Sequence, residues 1–456
     1  MKVEIPNYFL ADLGPEAEFT ESMITEACLA LRRNRERYLA VRDTGAVIRI
    51  LSQTAENWLE DDYPYRELAL EKGPEETGFS RATLKAGLDH FFNQLTGENL
   101  EDLLLQELGH FKRMDSPASA RYEGTAQRAS ATTGSDMLLH IAAGNIPLPA
   151  MMSIVLGLLT RSSQFVKCAS GSSYLPRLFA HSLYETDSKI GACIELAEWK
   201  GGNEALEKVL FHYAESVTAT GSDETLEAIE KRLPRGTRFV GHGHRVSFGY
   251  VTKEAMGGYR AKRMVRDAAD DVVAWNQLGC LSPHVFYVED DSRDFAYQFA
   301  EMLAGELAKR EKEEPRGEVP QEVAEQIASR RSMYEVRAAH LPDATRHWYS
   351  EGSTAWSVIY ETDTLFQLSC MHRFIYVKST PNLEETLKGA ETVRDNISTV
   401  GLGAGEDEKE EIVMHLARWG VSRVCALGQM QKPPLTWRHD GRPLLSDLVR
   451  WTDWEQ

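Results

Sequence analysis

The feature that most constrains this chain is the run from Met137 to Thr160, which carries no Asp, Glu, Lys or Arg. Its length would fit a bilayer. However, Gly144, Asn145, Pro147 and Pro149 interrupt its middle, and Pro cannot continue a strand or a helix interior. The run therefore divides into a short strand, Met137–Ala142, and a helix of about three turns ending near Thr160. Each piece is too short to cross a membrane, so the run reads as a buried βα unit.

The same grammar repeats downstream. Gln164–Lys167 reads as a strand, Cys193–Ala197 as another, Asn203–Ala214 as a helix and Ser216–Thr220 as a strand, and Thr220-Gly221-Ser222 opens a helix over Asp223–Leu233. Strand, turn, helix, strand at this spacing predicts right-handed parallel βαβ units buried on both faces. A second α/β region follows residue 250. Residues 16–116 read mainly as helix, from apolar residues at three- and four-residue spacing in TESMITEACLALRRNRERYLAV and TLKAGLDHFFNQL, with Thr20 and Thr83 as candidate N-caps. The polar, small-residue stretch after residue 119 reads as an arm or hairpin. The charge-rich residues 308–335 read as a solvated loop with a surface helix. Residues 406–419 read as a helix stopped by Gly420.

Acidic residues outnumber basic ones by 69 to 51, a formal charge of −18, which argues against nonspecific nucleic-acid binding. The six cysteines, Cys28, Cys168, Cys193, Cys280, Cys370 and Cys425, are far apart. That spacing indicates neither a disulfide framework nor a zinc knuckle. The first residues show no sustained apolar core of a signal peptide, so a reduced, cytoplasmic setting is the expectation.

Cys280 lies in Trp275-Asn276-Gln277-Leu278-Gly279-Cys280-Leu281-Ser282-Pro283, between a predicted helix and the strand Val285–Val288. A cysteine on a loop, after a glycine that lets a ligand approach, is placed as a nucleophile would be. Its reactive form is the thiolate. A buried inert thiol is the competing reading, and it is the one assigned to the other five. Three further positions add weight to Cys280. Asn145 follows a strand and precedes a Pro-started helix, which puts its amide where open α/β folds bind ligands. Lys167 ends the next strand. Gly221-Ser222 ends another and begins a helix, a phosphate-cradle arrangement, although Asp223 and Glu224 in that first turn oppose an anion. His242 and His244 lie two residues apart with no third ligand evident, so no metal site is expected.

Order and spacing here resemble the aldehyde dehydrogenase superfamily. The match is closer to its acyl-CoA reductase family, which includes the fatty-acid reductase of bacterial bioluminescence. The resemblance runs from about residue 130 to the C-terminus, densest at GNIPLPA, VKCAS, TATGSDET, GHGHRVSFGYV, WNQLGCLSP and LGQMQKPPLTWRHDGRP. It implies two open parallel α/β domains with a helical N-terminal region and a small oligomerisation arm near 117–135. The expected boundaries are 1–248 for the nucleotide-binding part, 249–430 for the catalytic domain and 431–456 for a C-terminal tail.

Position by position, the resemblance makes Cys280 the nucleophile and Asn145 the oxyanion-hole amide. Lys167 becomes the contact to the adenosine ribose, and Gly221 and Ser222 the pair beside the pyrophosphate. Ser170 stands where an acid often holds the ribose hydroxyl, and a neutral residue there admits a 2′-phosphate, which favours NADPH. Gly241 stands at the position of the glutamate that activates hydrolytic water in oxidative relatives, which points to thiol exchange or reduction instead. The second ribose-binding glutamate has no counterpart in FQLSCMHRFIYV. His244 is a candidate proton donor beside the alternative that it only packs. The expected reaction is reduction of an acyl thioester, on CoA or on a partner protein, to an aldehyde by a homo-oligomer. A cysteine hydrolase or acyltransferase and a non-catalytic partner subunit are the alternatives.

Overall fold

A computed structural model describes residues 5–14, 17–125, 127–291 and 293–455; part of the N-terminal stretch read above for a signal peptide lies outside them. The chain divides into two compact units, residues 1–77, 88–243 and 434–456 in the first and residues 78–87 and 244–433 in the second.

In the first unit, strand β1 (Arg128–Gly134) precedes a sheet built from β2 (Met137–Ile141), β3 (Ser163–Cys168), β4 (Ile194–Glu198), β5 (Ser216–Thr220) and β6 (Arg238–His242). The sheet is wholly parallel and its order is β4-β3-β2-β5-β6. All six residues of β3 are buried, as a strand covered on both faces requires. The apolar run resolves as the sequence predicts. β2 ends at Ile141, and the helix Leu148–Leu159 carries Pro147 at its start, where a missing N–H costs nothing. The strand order reverses between β2 and β5, so the loops after these two strands flank the switch point of the sheet. No helix among the described residues is long and apolar enough to cross a membrane.

The N-terminal helices include Glu21–Asn34, Thr44–Leu59 and Gly97–Leu108. Thr20 caps the first, its hydroxyl accepting from Met23 N at 3.2 Å. Thr83 does not cap. The helix there starts at Arg81, and the Ser80 hydroxyl accepts from Thr83 N at 3.2 Å, so the residue just outside the helix does the work.

The second unit holds β7 (Val246–Val251), β8 (Pro283–Glu289), β9 (Thr345–Tyr349), β10 (Ser357–Glu361), β11 (Phe374–Thr380), β12 (Ile397–Gly403) and β13 (Arg423–Ala426). Its order is β13-β12-β7-β8-β11-β10-β9, parallel except for the β10–β9 pair. One difference from expectation is the 308–335 region. The helix Phe295–Glu313 runs into it and a second helix, Gln321–His340, fills most of the rest. The charges line the outer faces, while Leu303 and Leu307 on one helix and Ile327 and Tyr334 on the other are buried at helical spacing. The final strand, β14 (Val449–Glu455), returns to the first unit and pairs antiparallel with β1, making a two-stranded ribbon.

Candidate active site

The nucleophile loop is built by side chains. Trp275, Asn276 and Gln277 all have left-handed backbone, with φ of 51°, 51° and 61°, a conformation costing non-glycine residues about 1–2 kcal/mol each. Long-range bonds hold this turn. Asn276 Nδ2 donates to Arg316 O at 2.9 Å and Asn276 Oδ1 accepts from Arg373 Nε at 3.0 Å. Gln277 Nε2 donates to Pro283 O at 2.9 Å and to Phe374 O at 3.2 Å. A second left-handed run, Met371-His372-Arg373, meets the first through His372 N donating to Asn276 O at 2.8 Å.

Cys280 follows this turn. Its carbonyl accepts from Ser247 Oγ at 2.8 Å, and the same oxygen of Ser247 accepts from Thr399 N at 3.1 Å. Ser247 sits where both flanking strands have irregular register, between Ile397 and Val400 on one side and around His284 on the other, so its hydroxyl serves backbone groups that the ladders leave over. A Cβ on Gly279 would lie 2.5 Å from Gln431 Nε2, so that side chain would have to move. The Gln431 amide in turn donates to Ser282 Oγ at 2.6 Å.

Cys280 and Cys425 are partly exposed and the other four thiols are buried. Burial pushes Cys28, Cys168 and Cys193 up to about 12 and Cys425 to about 11, and raises Cys370. Those five are poor thiolates at neutral pH.

His244 precedes β7 and is exposed, with its carbonyl accepting from Asn396 Nδ2 at 3.0 Å. His242 takes another course. It ends β6 in the first unit, and its ring stacks on His439 with centroids 4.1 Å apart and planes 10° apart. Asp440 Oδ2 lies 3.5 Å from His242 Nδ1. The ligand-type atoms of the three residues fall within 4.8 Å of one another, a grouping drawn from the far end of the chain and invisible in the sequence. Near-parallel ring planes direct the nitrogen lone pairs side by side, not toward one point.

The remaining predicted residues lie at the carboxyl edge of the first unit's sheet. Asn145 is exposed just beyond β2, and Gly221-Ser222 follow β5. Ser222 caps the helix Asp223–Glu230 by accepting from Thr225 N at 3.3 Å. Lys167, near the end of β3, is 5% exposed, and burial lowers its pKa. Among the described residues its ammonium makes no hydrogen bond or ion pair; it lies over the Trp199 ring, 5.9 Å from the centroid. Trp199 Nε1 is also buried without a partner. A buried indole N–H without a partner is costly unless a polar ligand meets it, and the Lys167 ammonium beside it has no hydrogen-bond partner among the described residues, so the two fit the sugar of a nucleotide. Ser170 is exposed on the adjacent turn. The sequence reading took no account of Glu198, whose carboxylate holds this turn by accepting from Gly171 N at 2.6 Å and Ser173 N at 3.1 Å. At Gly241 an added Cβ would lie 3.0 Å from Phe239 and 3.2 Å from Leu226, a tight fit in which those side chains would have to give by a few tenths of an ångström.

Two largely parallel sheets of this order, with helices connecting their strands, make the aldehyde-dehydrogenase-like fold. The delta-pyrroline-5-carboxylate dehydrogenase of Mycobacterium tuberculosis aligns with a TM-score of 0.71 at 12% identity, over 96% of this chain and 83% of that one. A bifunctional proline utilization A protein aligns at 0.69 and 17% identity, over 96% of this chain and 45% of that longer one; identities so low speak for the fold alone. Within that class, residues 39–451 match the family model for acyl-CoA reductase (LuxC), and the chain belongs to this family. It is accordingly an oxidoreductase. A long-chain acyl-protein thioester reductase of Aliivibrio fischeri is 21% identical over 448 residues, 95% of this chain and 87% of its own.

Proposed function

We propose that this protein reduces a fatty acyl thioester, carried on CoA or on an acyl-transferring partner protein, to an aldehyde, with NADPH as reductant and Cys280 as covalent nucleophile. The observation that carries the proposal is the setting of Cys280, a partly exposed thiol on a loop pinned through its own carbonyl by Ser247, whereas burial raises the pKa of the other five thiols. The family and its thioester-reductase relatives support the same chemistry.

Cys280 attacks the thioester carbonyl, and the donor thiol leaves as the acyl-cysteine forms. Asn145 and the backbone N–H of Cys280 receive the oxyanion; one such donor is worth ~10²–10³ in rate. Lys167 and Ser170 hold the adenosine ribose and its 2′-phosphate, and Gly221 and Ser222 lie at the pyrophosphate. Glu198 spends both carboxylate oxygens on its own turn, which leaves the Ser170 hydroxyl for the ligand. Bound NADPH would supply hydride to the acyl carbon. His244, exposed beside β7, returns a proton as aldehyde is released. Hydrolysis is disfavoured because Gly241 offers no carboxylate to activate water. A homo-oligomer assembled through the β1–β14 ribbon belongs to the same proposal, supported by Trp451 and Trp454, 42% and 54% exposed on its outer strand. Cys280→Ala should abolish NADPH-dependent aldehyde formation from acyl-CoA; aldehyde formation at the native rate would refute the assignment.

A further inference from the structure

His284 lies four residues beyond the nucleophile, where the chain enters β8. The register there runs Ser247↔Pro283 and then Phe248↔Val285. His284 is therefore the extra residue of a β-bulge, a device that takes a side chain out of the regular alternation and re-aims it. Its strand neighbours Pro283 and Val285 are buried, whereas His284 is half-buried.

The hydrogen bonds fix its protonation pattern. Ser369 N lies 3.1 Å from His284 Nδ1, and a backbone N–H can only donate. Nδ1 is thus an acceptor, and the ring proton of the neutral form sits on Nε2. The Ser369 hydroxyl reinforces this. It accepts from Met371 N at 3.0 Å, which directs its own proton to Nδ1, also at 3.0 Å. Burial, with the nearby His244 second, holds the imidazole at about 4, so it is uncharged at neutral pH. Among the described residues its ring meets Ser369, the edge of Phe366 and His244, and no carboxylate.

Cys280 and His284 occupy the same end of the sheet. Four residues span at most ~14 Å when extended, and the turn closed by Ser282 N donating to Gly279 O shortens that path. Ser247 fixes the Cys280 backbone from the neighbouring strand. A fixed thiol and a fixed neutral N–H donor at one sheet edge match the pairing by which a neutral imidazole polarises a carbonyl.

We propose that His284 is a further catalytic residue, donating its Nε2–H as a hydrogen bond to the thioester oxygen while Cys280 attacks. The inference rests on acylation of Cys280. The bond from Cys280 Sγ to the carbonyl carbon forms and the carbonyl π pair moves onto oxygen. On collapse the bond to the donor sulfur breaks and that sulfur leaves as thiolate. His284 keeps its proton throughout.

The test is rapid-mix acylation by dodecanoyl-CoA without reductant, following CoA release, in the wild type, His284→Ala and His284→Gln. Alkylation of Cys280 by iodoacetamide, which develops no oxyanion, is measured in parallel. The expected result is acylation ~10²-fold slower in His284→Ala with alkylation within about twofold of wild type, and partial recovery in His284→Gln, whose amide retains an N–H. Unchanged acylation in His284→Ala would overturn the proposal. So would alkylation slowed in proportion to acylation, since His284 would then act on the thiol or the loop. A wild-type protein that releases no CoA would instead refute the acyl-cysteine reading beneath it.

Discussion

The two sheets present their candidate residues at opposite ends of their strands. In the first unit Asn145, Lys167, Ser170 and Gly221-Ser222 all lie at the carboxyl ends of β2, β3 and β5, the customary edge for a ligand in an open α/β sheet. In the second, His244, Cys280, Ser369 and Asn396 all precede the strands β7, β8, β11 and β12, so the chemistry sits at the amino ends. The supports differ accordingly. At the carboxyl edge, turns and a helix start position the residues with local bonds, and the unusual element is the Lys167 ammonium, which has no hydrogen-bond partner among the described residues and lies over Trp199. At the amino edge the loops are held from a distance by Asn276, Gln277, Ser247 and Gln431, and two runs of left-handed backbone store strain. The proposed nucleotide contacts and Asn145 thus lie at a locally encoded edge, and the proposed nucleophile at one held by long-range bonds.

That contrast can be broken by mutation. The largest effect expected is at the pinned edge. Ser247→Ala leaves Thr399 N and Cys280 O without their partner, at ~1–3 kcal/mol for each buried group. Displacing the thiol should slow acylation by ~10²-fold, read by CoA release; an unchanged rate would mean that the loop needs no pin.

A somewhat smaller effect is expected at the binding edge. Lys167→Met should weaken NADPH binding by roughly 10- to 100-fold, the worth of a hydrogen bond to a charged group, as measured by fluorescence titration. Thermal stability should be unchanged or higher, because the substitution removes a partly desolvated ammonium that makes no hydrogen bond among the described residues. A fall in both affinity and melting temperature would make Lys167 a structural residue.

The smallest effect concerns pH. Glu195 Oε1 accepts from Leu10 N at 2.7 Å and Leu196 N at 3.0 Å, and burial pushes the carboxyl up to about 8. A raised carboxyl pKa means that the folded chain holds a proton the unfolded chain has released. Its contribution is therefore full below the ordinary carboxylate range and is lost as pH rises through about 8. Melting temperature should fall by a few degrees from mildly acidic to alkaline buffer, and Glu195→Gln, which keeps the accepting oxygen, should flatten that slope. Parallel slopes in the two proteins would count against it.

What could be read in the sequence follows the same division. The βαβ units, the strand ends and the position of Asn145 were legible because short-range patterns produce them: apolar runs, turn residues and a Pro at the helix start. Cys280 was legible through its loop and its resemblance. The left-handed turn at Trp275–Gln277 was not, because only Asn276 in it readily takes that backbone and the bonds that hold it come from Arg316, Pro283, His372, Arg373 and Phe374. Pairing of β1 with β14 joins segments more than 300 residues apart, beyond any local signal. His439 and Asp440, beside His242, were hidden for the same reason. Between residues 308 and 335 the periodicity was present, but dense charge masked the few buried positions that mark the helices.

The most direct test is peptide mass spectrometry after incubation with dodecanoyl-CoA in the absence of NADPH. A dodecanoyl adduct on the peptide containing Cys280, discharged when NADPH is added, is the predicted result. An unmodified Cys280, or an acyl group carried on one of the other five cysteines, would contradict it.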